Sequence, residues 1–354
     1  MSNVKNHSKT LDTIALLRRL EKPKGRVDVI LDTDTYNEID DQFALSYMLR
    51  SPEKLNVKAL YAAPFHNEKS NGPADGMEKS YQEILNILEL AGRVELKQEV
   101  YRGSLRYLPD EETPVDSSAA ANLAERAMEY TPDRPLYVVA IGAITNIASA
   151  ILMNPEIIDR IVVVWLGGNA HNWPDSHEFN LFQDIAAARI VFGCGVALVQ
   201  LPCSGVVSSF ATTGPELEYH LSGKNALCDY LMKTTVSEGL RCSGGQPTWS
   251  RVIWDVTAVA WLLDGNFEDD YLVASPIPEY DHHYSFDPTR HLIRYVYHIH
   301  RDDLFEDLFG SFRSETRTPI FRRPGFFSEI LLLVFFLTIN RYNIISDVYF
   351  QKQD

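Results

Sequence analysis

Four aspartates lie close together near the start of the chain, directly after a short apolar segment. The sequence from position 27 reads VDVILDTDTYNEIDDQFAL and contains Asp32, Asp34, Asp40 and Asp41. Its apolar part predicts a strand and its last residues a helix. Acids at the carboxyl end of a strand lie where open α/β sheets bind ligands. Crowded carboxylates repel each other, so they hold protons or surround a cation, and an oxygen-only set favours Ca²⁺ or Mg²⁺.

Three further segments place polar groups directly after apolar strands. They read YVVAIGAITNIA from position 137, VVVWLGGNAHNWPDSHEFNLFQD from 162 and IWDVTAVAWLL from 253. The candidate residues in the last two are Asn172, Glu178, Asn180 and Asp255. A lone acid at a helix start is ordinarily a cap, so Asp255 is significant only together with the other segments.

Composition narrows the class of protein. The chain has 354 residues, 45% hydrophobic and 23% charged, enough for one large domain or two modest ones. A net charge of −15 argues against a nucleic-acid or anionic-membrane surface and favours a neutral or weakly cationic small molecule. The four cysteines have no C-x-x-C spacing and are expected to be reduced, which predicts a cytoplasmic protein. The apolar run at 14–17 is too short for a signal peptide.

The hydrophobic pattern predicts an α/β fold with an open, mostly parallel, doubly wound (Rossmann-like) sheet. Continuous apolar runs predict strands at 27–31, 57–62, 136–141, 161–166 and 196–201, and strand character returns at 291–300. Helical spacing predicts helices at 11–21, at 77–91 and from Asp116 or Ser117 to 130. The region 212–248 has helical character and is expected to be an insertion at the pocket rim.

The order of elements predicts three regions: an N-terminal helical extension (1–25), a catalytic domain (26–311) and an atypical tail (312–354). In the tail, four arginines precede an apolar run at 330–339. Ten residues fall short of the roughly 20 that a membrane-spanning helix needs, so we expect a packed or interfacial helix and no membrane span.

Taken together, the four motifs resemble the inosine-uridine-preferring nucleoside hydrolase family. The resemblance covers residues 26–309 and consists of DTD…DD, GxxTNIA, GG…N…EFN and D-x-x-A-V-A, in that order. Each motif alone is a weak signal, but four in the right order are a strong one. The resemblance implies hydrolysis of the N-glycosidic bond of ribonucleosides to ribose and free base, and assembly into a dimer or tetramer.

The resemblance also implies roles for individual residues. The calcium ligands would be Asp34, Asp41, the main-chain carbonyl of Ile141 and Asp255, and Asp34 would be the base that deprotonates the metal-bound water. The groups that hold the ribose hydroxyls would be Asp40, Asn67, Asn172, Glu178 and Asn180.

This chemistry agrees with the residue types. Cleavage passes through an oxocarbenium-like sugar, so the site must stabilise positive charge and present a water opposite the base. Carboxylates do the first, and a divalent ion promotes the second by lowering the pKa of water. Ca²⁺ accepts seven or eight oxygens and leaves room for substrate hydroxyls beside the protein ligands, so calcium is the expected cofactor.

The chain departs from the family pattern in three places. The turn DTDTYNEIDD is two residues longer than DTDPGxDD, which leaves Asp32 as an alternative to Asp34. Trp254 replaces a histidine proposed to protonate the base, so leaving-group activation would depend on stacking by Trp254 or Trp173. The usual threonine at the carbonyl ligand is Ile141, which costs little because only its backbone would bind.

Two other functions remain as alternatives. DTD could belong to an aspartyl-phosphate phosphohydrolase, which needs Thr or Val where this chain has Tyr36, or it could be the DxD motif of a glycosyltransferase. A non-catalytic ribosyl-binding protein is expected to lack Asp34 or Asp41, and both are present. Asn71 competes with Asn67 for its assigned role.

Overall fold

An eight-stranded sheet forms the centre of the computed structural model, which describes residues 13–313. The strands are β1 (Val27–Thr33), β2 (Leu55–Ala62), β3 (Val100–Arg102), β4 (Leu136–Ala140), β5 (Ile161–Leu166), β6 (Ala197–Leu201), β7 (Ala211–Thr212), β8 (Arg251–Val252), β9 (Glu268–Ala274), β10 (Ile277–Pro278), β11 (Tyr284–Ser285) and β12 (Leu292–Ile299). The order in the sheet is β3-β2-β1-β4-β5-β6-β12-β9. Within the described residues every neighbouring pair is parallel except β9 with β12. The predicted fold class is confirmed.

Helices cover both faces of the sheet. They are α1 (Thr13–Arg19), α2 (Asp41–Leu49), α3 (Pro73–Leu90), α4 (Ser118–Arg126), α5 (Thr145–Met153), α6 (Phe179–Gln183), α7 (Ile185–Gly193), α8 (Gly214–Leu221), α9 (Ala226–Cys242), α10 (Val256–Ala260) and α11 (Arg301–Ser311). Short 3₁₀ segments occur at Val94–Glu99, Ala127–Glu129, Pro155–Asp159 and Val207–Ser209. In β1, Val29 and Leu31 pack into the core on one face and Ile30 into the core on the other, as the alternation of a strand requires.

Most predicted elements form close to their predicted positions. β5 has the predicted bounds, and β1 continues two residues further, to Thr33. Ser117 caps α4 by accepting a hydrogen bond from the Ala120 N–H at 3.1 Å. α3 begins at Pro73, earlier than predicted, because proline is well suited to the first turn of a helix. The short β3 and the antiparallel β9 were not predicted.

The predicted insertion at 212–248 contains α8 and α9. Arg241 of α9 forms an ion pair with Glu68, next to Asn67. At the other end of the chain, Leu16 and Leu20 are buried in the main core, so the segment before β1 packs against the domain. The apolar run at 330–339 lies outside the described residues. Among the described helices, none has the length and apolar character needed to cross a membrane.

Candidate functional site

The site lies where the sheet changes its direction of growth. From β1 the chain adds β2 and β3 on one side and then crosses to β4 on the other side. A crevice forms outside the carboxyl ends of strands at such a switch point. Asp34 follows β1, and Ile141 and Gly142 follow β4. The Ile141 N–H donates to the Asp32 carbonyl at 2.9 Å, which ties the two strand ends together.

Three carboxylates meet in this crevice. Asp40 precedes α2, Asp41 is its first residue, and Asp255 precedes α10. Each offers one oxygen, and the three oxygens lie within 4.8 Å of one another. All three side chains are buried. A helix N-terminus favours negative charge, which partly explains how α2 tolerates two acids there.

Asp34 lies beside this cluster and is completely buried. Neither of its carboxylate oxygens has a hydrogen-bond partner in the described part of the chain. Gly142 gives it room, since a Cβ at position 142 would lie 3.1 Å from Asp34 Cγ and Oδ1. Burial, followed by the charges of Asp41 and Asp40, raises the pKa of Asp34 well above its usual value.

The other carboxyl groups are perturbed in the same direction. Burial raises the pKa of Asp41 to about 7, although the Thr33 hydroxyl donates to its carboxylate. Burial and then the charge of Asp40 raise the pKa of Asp255 well above its usual value. Without a cation, burial and mutual repulsion therefore favour the protonated forms of these carboxyl groups.

The donor set fits a hard divalent cation. It consists only of oxygens: the carboxylates of Asp34, Asp41 and Asp255 and the nearby carbonyl of Ile141. That carbonyl accepts one hydrogen bond, from Asn180 Nδ2 at 3.2 Å, and keeps a second lone pair. Buried carboxylate oxygens without partners, as in Asp34, are unusual in proteins and are what an absent cation would satisfy.

A cavity of about 240 Å³ opens above the cluster. This volume is small for a ligand pocket and suits a sugar. The lining residues are Asn37, Glu38, Asp40, Asp41, Ile141, Leu166, Asn169, His177, Glu178, Phe179, Asn180, Cys203, Ser204, Trp254 and Asp255. Within the described part of the chain, the lining has five acids and no lysine or arginine. The cavity is therefore suited to a neutral polyol or to developing positive charge.

The inosine-uridine preferring nucleoside hydrolase family model matches residues 29–291. The chain belongs to this family. The match includes every residue predicted for the site, and it confirms both the predicted family and, at the level of the family, the enzyme class of hydrolases that act on N-glycosyl bonds.

Individual relatives agree with the family. The probable uridine nucleosidase 2 of Arabidopsis thaliana is 29% identical over 226 residues, 59% of this chain and 68% of that protein. The pyrimidine-specific ribonucleoside hydrolase RihA of Citrobacter koseri is 28% identical over 195 residues, 48% of this chain and 58% of that protein. A solved plant nucleoside hydrolase has a TM-score of 0.66 at 20% identity, over 81% of this chain and 99% of that one, which shows that the fold is shared.

The predicted ribose-binding residues differ in what their side chains contact. Both Glu178 oxygens accept backbone N–H groups at the start of α6, and one of them also accepts from the Gly168 N–H, in the loop after β5, at 2.7 Å. The Asn180 amide nitrogen donates to two carbonyls, leaving its oxygen for a ligand. Asn67 donates to Asn37 at 2.6 Å, and Asn37 lines the cavity. Asp40 and Trp254 line it directly.

Asn172 is exposed and does not line the cavity, whereas Asn169 is buried and does. Asn169 Oδ1 accepts from the Ser204 N–H at 3.1 Å, which joins the loop after β5 to the loop after β6. The sequence interpretation missed Asn169 and Asn37. The signal for Asn169 was its position directly after two glycines at a strand end; Asn37 lies in the lengthened turn and had no comparable signal.

Asp32 has a different environment from Asp34. Its Oδ1 accepts from Asn146 Nδ2 at 2.8 Å, and the same asparagine accepts hydrogen bonds from Ser104. Burial raises the pKa of Asp32 to about 7. Neither Asp32 nor Asp34 lines the cavity. One Asp32 oxygen is bonded to Asn146, whereas both Asp34 oxygens lack a partner among the described residues and Asp34 is affected by the charges of Asp41 and Asp40, so Asp34 is the acid beside the cluster.

Proposed function

We propose that this protein hydrolyses the N-glycosidic bond of ribonucleosides, giving ribose and free base, with calcium as cofactor and Asp34 as the general base. The observation that carries the proposal is the buried carboxylate cluster at the switch point, with two unpartnered oxygens on Asp34. Membership of the nucleoside hydrolase family supports the same reaction.

Different residues of the site carry out different parts of the reaction. As the bond between C1′ and the base nitrogen breaks, its electron pair goes to the base and positive charge develops on the sugar. The carboxylates of Asp40, Asp41 and Asp255 stabilise that charge. Asp34 accepts a proton from the water that attacks C1′, and the departing base nitrogen takes up a proton, so hydrolysis is balanced.

Asp34 must be ionised to act as a base, and its surroundings oppose this. Burial and neighbouring negative charges hold its pKa well above the usual value. A divalent cation held by Asp34, Asp41, Asp255 and the Ile141 carbonyl would supply positive charge that keeps these carboxylates ionised and lowers the pKa of water. The cation is Ca²⁺ in our proposal, because its coordination number leaves room for substrate hydroxyls.

We assign the ribose and the base of the substrate to different residues of the cavity wall. Asp40 and Asn180 line the cavity, and a carboxylate and an amide oxygen suit the hydroxyls of a ribose. Glu178 supports ribose binding indirectly. Its carboxylate accepts backbone N–H groups and so fixes the loop that carries Asn180. Trp254 is half-buried at the wall and offers a surface on which a base can stack.

The decisive experiment is nucleoside turnover by Asp34→Asn. Purified protein is incubated with a panel of purine and pyrimidine nucleosides, and reducing sugar and free base are measured. We expect kcat to fall by about 100-fold or more, because a positioned general base contributes that much. Asp302→Asn is the matched control, since the Asp302 side chain is 93% exposed. Circular dichroism checks that both variants fold.

Undiminished kcat in folded Asp34→Asn would reject Asp34 as the base. Wild-type protein that binds nucleosides or ribose without releasing base would instead be the ribosyl-binding protein considered above. The phosphohydrolase and glycosyltransferase alternatives need a cavity that attracts phosphate, and the described lining has no lysine or arginine.

The remaining features of the proposal concern the whole protein. A cytoplasmic location is supported by four cysteines that are all free thiols. Assembly into a dimer or tetramer, and the division at 1–25, 26–311 and 312–354, stay predictions.

A further inference from the structure

A second, larger cleft lies at the opposite end of β1. It has a volume of about 720 Å³ and is lined by Val27 and Asp28 of β1, by Tyr137 of β4 and by the loop 131–135 that leads into β4. Residues between 15 and 26, from the segment that precedes the sheet, form another wall. The family match begins only at residue 29, so this wall lies outside the matched region.

The cleft is basic, although the chain as a whole is acidic. Seven of its lining residues are Lys or Arg and four are Asp or Glu, in a chain of net charge −15. Four of the cations, Arg18, Lys24, Lys58 and Arg134, have no ion pair and no side-chain hydrogen bond within residues 13–313. Positive charge is therefore available to a ligand.

Arg19 is the clearest sign that the cleft suits an anion. It lines the cleft, yet only 3% of it is exposed. One guanidinium nitrogen donates to the Asp159 carbonyl, while Nε and Nη2 are buried without a partner among the described residues. Burial lowers the pKa of Arg19. The charge of Asp159 offsets only part of the effect of burial, and a bound anion would satisfy the two unpartnered nitrogens.

We propose that this cleft binds a phosphorylated small molecule of nucleotide size. Arginine presents a fork of N–H donors that matches phosphate oxygens, and several cations around one cleft suit a group with more than one negative charge. The volume lies in the range of small-molecule pockets. Tyr130, Pro132 and Tyr137 supply flat or apolar wall for an uncharged part of the ligand. The four acids in the lining disfavour a long polyanion.

The test is calorimetric titration of the full chain with pyrophosphate, with ADP and with adenosine. Divalent cations are removed first, so that pyrophosphate cannot act by chelation. We expect one site for pyrophosphate and ADP, no phosphate-dependent site for adenosine, and affinity that weakens as salt is raised.

A pair of charge-matched double variants locates the site. Lys24→Gln with Arg134→Gln removes two exposed cations from the cleft, and we expect it to weaken ADP binding by at least about tenfold. The control, Lys97→Gln with Lys233→Gln, removes two cations elsewhere and should change affinity by less than about twofold. In wild-type protein, ADP should also protect Lys24 and Lys58 from chemical acetylation more than Lys233.

Three results would overturn the proposal. They are the absence of any heat of binding with pyrophosphate and ADP, an equal loss of affinity in both double variants, and acetylation of Lys24 and Lys58 that ADP does not change. None of these readouts depends on nucleoside turnover, so the two proposals fail independently.

Discussion

The two ends of β1 have opposite chemistry. Asp28 and Asp34 are six positions apart on or beside this strand, about 20 Å at the rise of an extended chain. Beyond the carboxyl end lie the buried carboxylates of the cavity, without a lysine or arginine in its described lining. Beside the amino end lies the basic cleft, with Arg19 buried in its wall.

Each end of β1 obtains its charge from a different part of the chain. At the carboxyl end the acids are fixed by the sheet and by the starts of α2 and α10, and they lie inside the region that the family model matches. At the amino end five of the seven cations come from the segment before β1, and three of these five are exposed, namely Arg18, Lys24 and Arg26. The first end is a property of the fold, whereas the second is an addition to it. Separation along one strand keeps the proposed cation site and the proposed anion site apart.

Removing the cation should affect one end strongly and leave the other unchanged. We expect a chelator to abolish nucleoside turnover and to lower the melting temperature, because a cation that binds only folded protein stabilises it, by about 2.7 kcal/mol at 100 times its Kd. Ca²⁺ should restore both quantities better than Mg²⁺. Scanning calorimetry and a reducing-sugar assay measure the two effects.

ADP binding to the basic cleft provides the internal control for this experiment. Its affinity should be the same in calcium-free protein as in calcium-loaded protein from which excess calcium has been removed, since no carboxylate of the cluster lines that cleft. Turnover that persists in chelator would remove the cation from the proposed mechanism. A loss of ADP binding on calcium addition would show that the two ends are coupled.

Much of the carboxyl end could be predicted from sequence. β1, β4, β5 and β6 are buried on both faces and therefore appear as uninterrupted apolar runs, so the polar residues that follow them were easy to recognise. Asp41 and Asp255 were then assigned as metal ligands through the resemblance to the family. The order of the four motifs along the chain predicted the family.

The parts that sequence reasoning missed depend on long-range contacts. Asn37 is fixed in the cavity wall by Asn67, thirty residues away, and no local pattern encodes that hydrogen bond. Within GGNAHN, spacing alone could not decide between Asn169 and Asn172. The basic cleft was missed because its cations come from separate segments, and only the folded chain brings Lys24, Lys58 and Arg134 together.

Asparagine variants in the loop after β5 test which side chain of that loop contributes to the carboxyl-end site. We expect Asn169→Ala to lower kcat/KM by about tenfold, because it removes a buried amide that lines the cavity and joins two loops. Asn172→Ala should leave kcat/KM almost unchanged, since Asn172 is exposed. The reverse pattern, with the loss in Asn172→Ala, would favour the ribose contact predicted from sequence and require the loop to move when substrate binds.

The smallest expected effect concerns the ion pair that holds Lys22, a residue of the basic cleft. Its partner Glu268 lies 3.1 Å away, and the Glu268 side chain is fully buried. Burial raises the pKa of Glu268 from 4.5 to about 7, against the pull of Lys22. The folded state therefore binds this proton more tightly than the unfolded state, and the stabilisation is present below 4.5 and lost as pH rises through about 7.

Glu268→Gln should accordingly flatten the fall in melting temperature between about pH 4.5 and about pH 7, by a few degrees. The measurement is made at saturating calcium, so that the carboxylate cluster stays ionised in both proteins. Glu306→Gln, at an exposed position of α11, is the matched control. If Glu268→Gln and wild type lose stability equally with pH, the buried glutamate does not titrate in this range, and Lys22 is held by a carboxylate that stays charged.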